Sequence, residues 1–281
     1  MRPKSRLPSF TTVMLIVGLV FLYLPMLVLV VYSFNASRLV TVWAGFSTEW
    51  YGELFRDRQI LDAVWTSIKI AFFSASMAVC LGTVAAFVMT RYSRFRGKTA
   101  LSSMVTAPLV MPEVITGLSL LLLFVQMAQL TGWPADRGMA TIWIAHTTFC
   151  SAYVAVVVAA RLREMDRSIE EAAMDLGSPP LKTFFSITLP VISPALVAGW
   201  LLAFTLSLDD LVIASFVSGP GANTLPMVVF SSVRLGVSPK INALATLIIL
   251  IVSLATLLAW YIMRRSEKRR LALIREARAT E

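Results

Sequence analysis

Six long apolar stretches, separated by polar connections, constrain the fold of this sequence more than any other feature. A helix rises about 1.5 Å per residue, so roughly 20 apolar residues cross the hydrocarbon core of a bilayer. The sequence therefore predicts an all-α integral membrane protein, with a single transmembrane domain over residues 1–281. The six predicted spans are about 10–34, 64–90, 101–130, 139–160, 191–217 and 241–263.

The composition excludes a soluble protein and a nucleic-acid-binding protein. Hydrophobic residues make up 57% of the chain and charged residues only 15%, whereas a soluble domain carries about a quarter of charged residues. The net charge is +9, but the basic residues fall between the apolar stretches and not beside aromatic residues on one face. The lipid bilayer is therefore the predicted environment, and nucleic acid is not a predicted partner.

Lysine and arginine residues are concentrated in alternate connections, which predicts the orientation. The basic segments are the N-terminus, the second-to-third connection, the fourth-to-fifth connection (residues 161–190) and the C-terminal tail. Because cytoplasmic segments of membrane proteins are enriched in these residues, both termini are predicted to be cytoplasmic. The same rule places the connection 161–190 in the cytoplasm.

Two of the predicted spans carry signals of how they pack. Pro108 and Pro112 lie in the third span, which is therefore predicted to be kinked or broken, since proline removes a helix hydrogen bond. Small residues let helix backbones approach each other in lipid. Four of them recur at every fourth position of the second span: Ser74, Ala78, Gly82 and Ala86.

The connection between the fourth and fifth spans predicts two short helices. Ser168, followed three residues later by Glu171, matches a capping box at a helix N-terminus. Gly177 predicts the end of that helix, because glycine readily adopts the left-handed conformation there. Ser178 and Pro179 predict the cap and the first residue of a second helix.

The same connection resembles a known signature, the EAA loop of the permeases of binding-protein-dependent ABC importers. The resemblance implies a type I ABC importer permease-like fold in the bacterial inner membrane. It also implies that this loop docks on a cytosolic ATPase, with a second, homologous permease, two ATPase subunits and a periplasmic binding protein as partners. The residues that carry the signature are Glu171, Ala172, Ala173, Gly177, Ile187, Leu189 and Pro190.

The sequence predicts no ATP site in this chain. Gly97-Lys98-Thr99 ends like a phosphate-binding loop, but Tyr92 stands where that motif needs its first glycine. The chain is therefore predicted not to be an enzyme and to bind no cofactor or metal. By the resemblance, ATP and Mg²⁺ are used by the ATPase subunits.

Few ionisable residues lie inside the predicted spans, and such residues are functional candidates. Glu113, Asp209 and Asp210 are predicted to share one layer, with Ser207 beside them, and a layer of anions favours a cationic passenger. In the alternative, the layer is structural: Lys69 pairs with one aspartate, while Ser207 and Thr205 satisfy the rest. In a mixed arrangement, one aspartate is structural and the other faces the pathway.

Two aromatic or imidazole side chains complete the candidates. Trp43, in the connection after the first span, is a candidate for a vestibule, because aromatic faces attract organic ammonium groups. Anchoring at the membrane interface is the alternative for such a residue. His146, in the fourth span, is predicted to be a hydrogen-bonded packing residue and not a proton relay.

Three further segments resemble the permeases of spermidine/putrescine importers: Phe204–Asp210, Ser218–Pro220 and Val237–Ala243. The predicted passenger is therefore a polyamine, with putrescine favoured over spermidine. One alternative keeps the ABC machinery and moves another cationic solute, such as another amine, an opine or ferric iron. An ion-coupled secondary transporter that needs no ATPase is a second alternative, and a purely structural membrane protein is a third.

Overall fold

The computed structural model describes residues 10–39, 42–92, 95–236 and 238–279, and its regular elements there are helices. Asn35 and Phe46 form an isolated β-bridge. The N-terminal basic residues and Val237 lie outside the described residues. In chain order the helices are α1 (Phe10–Tyr32), α2 (Glu49–Arg56), α3 (Arg58–Arg91), α4 (Lys98–Val110), α5 (Glu113–Thr131), α6 (Met139–Glu164), α7 (Arg167–Asp175), α8 (Pro180–Thr183), a π-helical segment (Phe184–Thr188), α9 (Leu189–Asp209), α10 (Val212–Val217), α11 (Leu225–Leu235) and α12 (Pro239–Ala279).

Six of the described helical stretches are long and apolar enough to cross a membrane, which confirms the predicted all-α, six-span architecture. Their bounds differ from the predicted spans by four residues or more at six of the twelve ends, because hydrophobicity does not mark where a helix stops. The six stretches are Phe10–Tyr32, Arg58–Arg91, Glu113–Thr131, Met139–Glu164, Pro180–Asp209 and Pro239–Leu258.

The third predicted span is broken, as its prolines indicate. Helix α4 ends at Val110, and α5 begins at Glu113, with Met111 and Pro112 in extended conformation between them. Pro108 lies inside α4. Of the two pieces, only α5 has the length and hydropathy of a membrane span.

The fifth span differs from its prediction of 191–217 at both ends. It begins earlier, because α8, the π-helical segment and α9 follow one another without a gap from Pro180 to Asp209. It ends earlier, because Asp210 has extended backbone angles, and a separate short helix, α10, begins at Val212. The apolar stretch 191–217 is therefore not one helix, because the backbone changes direction at Asp209 and Asp210.

The chain packs as two compact units, a terminal unit within Met1–Arg58 and Ser232–Glu281, and a central unit, Gln59–Ser231. In the terminal unit, the indole Nε1 of Trp50 donates a hydrogen bond to the carbonyl of Asn35 at 2.6 Å. Lys240, at the start of α12, forms an ion pair with Glu53 at 3.3 Å. The prediction of a single domain stays a prediction.

The central unit is built around α6, whose side chains supply much of its buried core. Helix α3 approaches α6 along the predicted row of small residues. Ser74 Oγ donates a hydrogen bond to the carbonyl of Trp143 at 3.2 Å. A Cβ atom at Gly82 would lie 2.8 Å from Cβ of Val154. The prediction that this row packs closely against another helix is thus confirmed.

Candidate functional site

The first helix of the connection 161–190, here called the EAA loop, is α7, and its N-terminal cap differs from the prediction. Asp166 is the N-cap residue, and its carboxylate accepts a hydrogen bond from the backbone N–H of Ser168 at 3.0 Å. This bond holds the pKa of Asp166 below its ordinary value. The predicted capping box of Ser168 with Glu171 is therefore wrong, since Ser168 already lies inside the helix.

The end of α7 is at the predicted residue, and its geometry explains why glycine is needed. Gly177 has a φ angle of +87°, in the left-handed region that other residues rarely adopt. Its N–H donates to the carbonyl of Met174 at 2.9 Å, and the N–H of Ser178 donates to that of Ala173 at 3.1 Å. These two bonds form a Schellman motif, which satisfies carbonyls left open at a helix C-terminus.

The second helix of the EAA loop is displaced by one residue from its prediction and is not separate from the span that follows. Pro179 is the N-cap of α8, and Pro180 is its first residue, so Ser178 does not cap it. Three signature residues lie in or directly after the π-helical segment that joins α8 to α9: Ile187, Leu189 and Pro190.

Other side chains of the EAA loop are exposed to solvent. Glu171 and Ala172 are exposed and Ala173 is half-buried. Large apolar side chains are exposed close by, with Leu176 at 90% and Leu181 at 75% of their free surface. An exposed apolar patch beside polar residues is typical of an interface with another protein. The predicted contact with an ATPase stays a prediction.

A buried ion pair below this surface was missed by the sequence analysis. Glu170 is buried, and its Oε2 lies 2.8 Å from Nε of Arg91, at the C-terminus of α3. Its Oε1 accepts hydrogen bonds from Nη2 of Arg91 at 3.2 Å and from Oγ1 of Thr188 at 2.6 Å. The partners are far apart in sequence, so spacing gave no signal of this contact.

Of the three carboxylates in the predicted layer, only Asp210 is buried. Asp210 caps α10: its Oδ2 accepts a hydrogen bond from the N–H of Ala214 at 2.8 Å. Nε2 of His146 lies 3.0 Å from the same oxygen. Nδ1 of His146 forms a 2.7 Å hydrogen bond with Oγ of Ser207. His146 is thus buried and hydrogen-bonded, as predicted.

The other two carboxylates of the predicted layer, Glu113 and Asp209, are exposed in the described structure. Among the described residues, no ion pair joins Lys69 to Asp209 or to Asp210, and its Nζ lies 5.1 Å from the ring centroid of Trp65 in the same helix. The hydroxyl of Thr205 donates only along its own helix, to the carbonyl of Leu201 at 2.8 Å. Of the predicted structural network, Ser207 is therefore a member, whereas Lys69 and Thr205 are not.

Trp43 lies in the terminal unit, after α1. Its ring packs edge-on against Tyr32, with 6.2 Å between the centroids, and the side chain is half exposed. The role of Trp43 in a vestibule stays a prediction.

Among the described residues, no group of three or more histidine, cysteine or acidic side chains has the geometry of a metal site.

The sequence matches a family of known proteins over most of its length. Residues 78–271 match the family of binding-protein-dependent transport system inner membrane components. This chain belongs to that family. The family assignment confirms the resemblance to ABC importer permeases that the EAA signature indicates. Two similar proteins from Escherichia coli (strain K12) are permeases of particular transport systems.

The first of these two relatives is the putrescine transport system permease protein PotI. It is 67% identical over 276 residues, which cover 98% of this chain and 98% of PotI. The second is the spermidine/putrescine transport system permease protein PotC, which is 40% identical over 247 residues. That match covers 88% of this chain and 90% of PotC.

Two solved structures share the fold of this family member. One is a bacterial ABC transporter involved in the import of the acidic polysaccharide alginate, with a TM-score of 0.67 and 16% identity. It covers 91% of this chain and 94% of the solved chain. The other is an alginate ABC transporter in complex with a pentasaccharide-bound periplasmic protein, with a TM-score of 0.67, 15% identity and coverage of 87% and 88%. The predicted ABC importer permease fold is thus confirmed.

Proposed function

We propose that this protein is the membrane-spanning permease subunit of an ATP-driven, binding-protein-dependent importer of polyamines, with putrescine as its principal passenger. The observation that carries the proposal is the 67% identity to PotI over 98% of both chains. The six apolar helices supply the spans that such a subunit needs. The protein then resides in a bacterial inner membrane, with both termini in the cytoplasm.

The partners follow from the same proposal. One six-span chain forms half of the pathway, and a second, homologous permease forms the other half. Two cytosolic ATPase subunits bind ATP and Mg²⁺, and a periplasmic protein delivers the polyamine. The exposed Glu171 and the apolar side chains of Leu176 and Leu181 give the EAA loop a surface suited to one ATPase subunit. This chain itself hydrolyses no ATP.

The passenger pathway is proposed to use the carboxylates that the fold leaves unburied. A diamine carries two ammonium groups, each of which is stabilised by an anion or by an aromatic face. Asp209 and Glu113 are exposed, whereas Asp210 is occupied by His146 and by the N-terminus of α10. We therefore assign the passenger contacts to Asp209 and Glu113, with Trp43 in the vestibule, and a positioning role to Asp210 and Ser207.

Replacing Asp209 by asparagine is expected to raise the KM for putrescine about tenfold, because one charged contact with the passenger is lost. Asp209→Glu keeps the charge and is the matched control, with a KM near that of the wild type. Asp210→Asn is expected instead to lower the amount of folded protein. The measurement is uptake of labelled putrescine by cells that carry the whole importer, with spermidine as competitor.

Two results would overturn the assignments. An unchanged KM in Asp209→Asn means that this carboxylate does not face the passenger. Uptake that survives deletion of the ATPase subunits, and that stops when an uncoupler is added, means that the protein is an ion-coupled transporter and that the proposed function is wrong. Competition by spermidine stronger than by putrescine itself would reverse the preferred passenger.

A further inference from the structure

Glu170 is a charged residue that the fold buries at a place where its neighbours are exposed. Only 8% of its surface remains accessible, whereas Ile169 and Glu171 on either side are exposed. A buried carboxylate is unfavourable unless charged and hydrogen-bonded partners compensate its lost hydration. The contacts of Glu170 therefore show how its charge is compensated.

Those partners come from different elements of the central unit. Arg91, the last residue of α3, presents two nitrogens to the carboxylate, Nε to Oε2 and Nη2 to Oε1. The first contact is an ion pair at 2.8 Å and the second a hydrogen bond at 3.2 Å, so two nitrogens hold the guanidinium against the carboxylate. The third nitrogen, Nη1, donates to the carbonyl of Leu162 near the end of α6 at 3.1 Å. One side chain of α7 is thus tied to the ends of two spans.

The remaining contact reaches the fifth span, Pro180–Asp209. Thr188 is buried to 1% exposure, and its hydroxyl donates to Oε1 of Glu170 at 2.6 Å. Thr188 is the last residue of the π-helical segment, directly before α9. Helical segments of this kind are rare and are often found at functional sites. The contact joins α7 to the base of the fifth span.

A second link strengthens the first and lies on the same face of α7. Arg167, three residues before Glu170, donates to the carbonyls of Thr90 at 3.1 Å and Arg91 at 2.7 Å. Carbonyls at a helix C-terminus lack partners within the helix, so a cationic donor is favourable there. Residues three apart share a helix face. This face of α7 therefore holds the end of α3 through two independent side chains.

We propose that Glu170 is the positioning residue through which the EAA loop moves the membrane helices, an inference that rests on the proposed function. Glu171, the next residue, lies about 100° further round α7 and is exposed, on the surface proposed above for the ATPase. Glu170 faces inward and joins α7 to α3 and to the segment before α9. A displacement of α7 by ATPase closure is thereby passed to both spans through buried, charge-assisted contacts.

A purely structural role predicts a different result from a coupling role, and Thr188 allows the two to be separated. Thr188→Val keeps the shape of the side chain and removes the hydroxyl, whereas Thr188→Ser keeps the hydroxyl. Thr256→Val is the control for the substitution itself, because Thr256 is exposed in α12 and its hydroxyl donates to the carbonyl of Val252. Glu170→Gln tests the charge directly.

The experiment uses the complete importer in liposomes, with both permeases, the ATPases and putrescine-loaded binding protein. Uptake and ATP hydrolysis are measured in the same sample, and their ratio is compared between variants. We expect the ratio to fall at least about tenfold in Thr188→Val and Glu170→Gln, since a hydrogen bond to a buried charge is lost. Thr188→Ser and Thr256→Val are expected to keep the wild-type ratio.

Two outcomes overturn this inference without touching the proposed function. One is a wild-type ratio in both Thr188→Val and Glu170→Gln, which means that the contact transmits nothing. The other is loss of assembly with the ATPases in both variants, which means that the contact only holds the loop together. The proposed function has its own test in the wild-type importer, because uptake without ATP hydrolysis contradicts it whatever the variants do.

Discussion

Replacing Gly177 by valine is expected to abolish putrescine uptake. The φ angle of +87° places this residue in the left-handed region, where a β-branched side chain is strained by roughly 1–3 kcal/mol. Among the residues that the structure describes, nothing lies within 4 Å of a Cβ atom built at this position, so the effect comes from the backbone and not from a clash with a neighbour. The strain opens the Schellman motif, and with it the turn between α7 and α8.

The matched control for this substitution is Gly177→Asn. Among residues other than glycine, asparagine is one of those found most often in the left-handed region. It is expected to retain most of the uptake. The measurements are uptake by the assembled importer and co-purification of the ATPase with the permease. Normal assembly together with normal uptake in Gly177→Val would refute the role of this turn in docking.

Replacing Gly82 by valine is expected to lower the stability of the protein more than any surface substitution. A Cβ atom here would lie 2.8 Å from Cβ of Val154 and 2.9 Å from the carbonyl oxygen of Ser151. Because one of these neighbours is backbone, it cannot rotate away, so α3 and α6 must separate. Forcing extra atoms into such a close contact costs about 1–3 kcal/mol.

The control for Gly82→Val is the same substitution at Gly18, within α1, where no atom of the described part of the chain lies within 4 Å of an added Cβ atom. The readout is the thermal unfolding of the purified permease in detergent, because this measurement does not depend on transport. We expect a lower Tm for Gly82→Val and no decrease for Gly18→Val. Equal Tm values for the two variants contradict the close packing of α3 against α6.

The sequence predicted the spans and the end of α7 because each depends on local chemistry. A span requires only a sufficient length of apolar residues, and a left-handed helix end requires glycine. The row of small residues around Gly82 was likewise predictable, since its fourfold spacing lies on one helix face. The family resemblance rests on the same EAA loop, where six residue types stand at fixed distances.

The cap of α7 and the roles of the carboxylates were not predictable in this way. Ser168 and Asp166 are both good N-cap residues, and the choice between them depends on where α6 ends. Glu170 and Glu171 are identical in type and adjacent, so only the fold decides which one meets Arg91. The same holds for Asp209 and Asp210, where the distant His146 selects one of the two.

The fifth span is helical without a gap from Pro180 to Asp209, so a rotation at one end displaces the other end. Its 30 residues correspond to a length of roughly 45 Å. Leu181, on the exposed surface of the EAA loop, lies near one end, and Asp209 lies at the other. Each degree by which the whole helix tilts at its base moves its far end by about 0.8 Å at that length. Under the proposed function, a rotation of a few degrees imposed by an ATPase therefore becomes a displacement of several ångströms at the carboxylate assigned to the passenger.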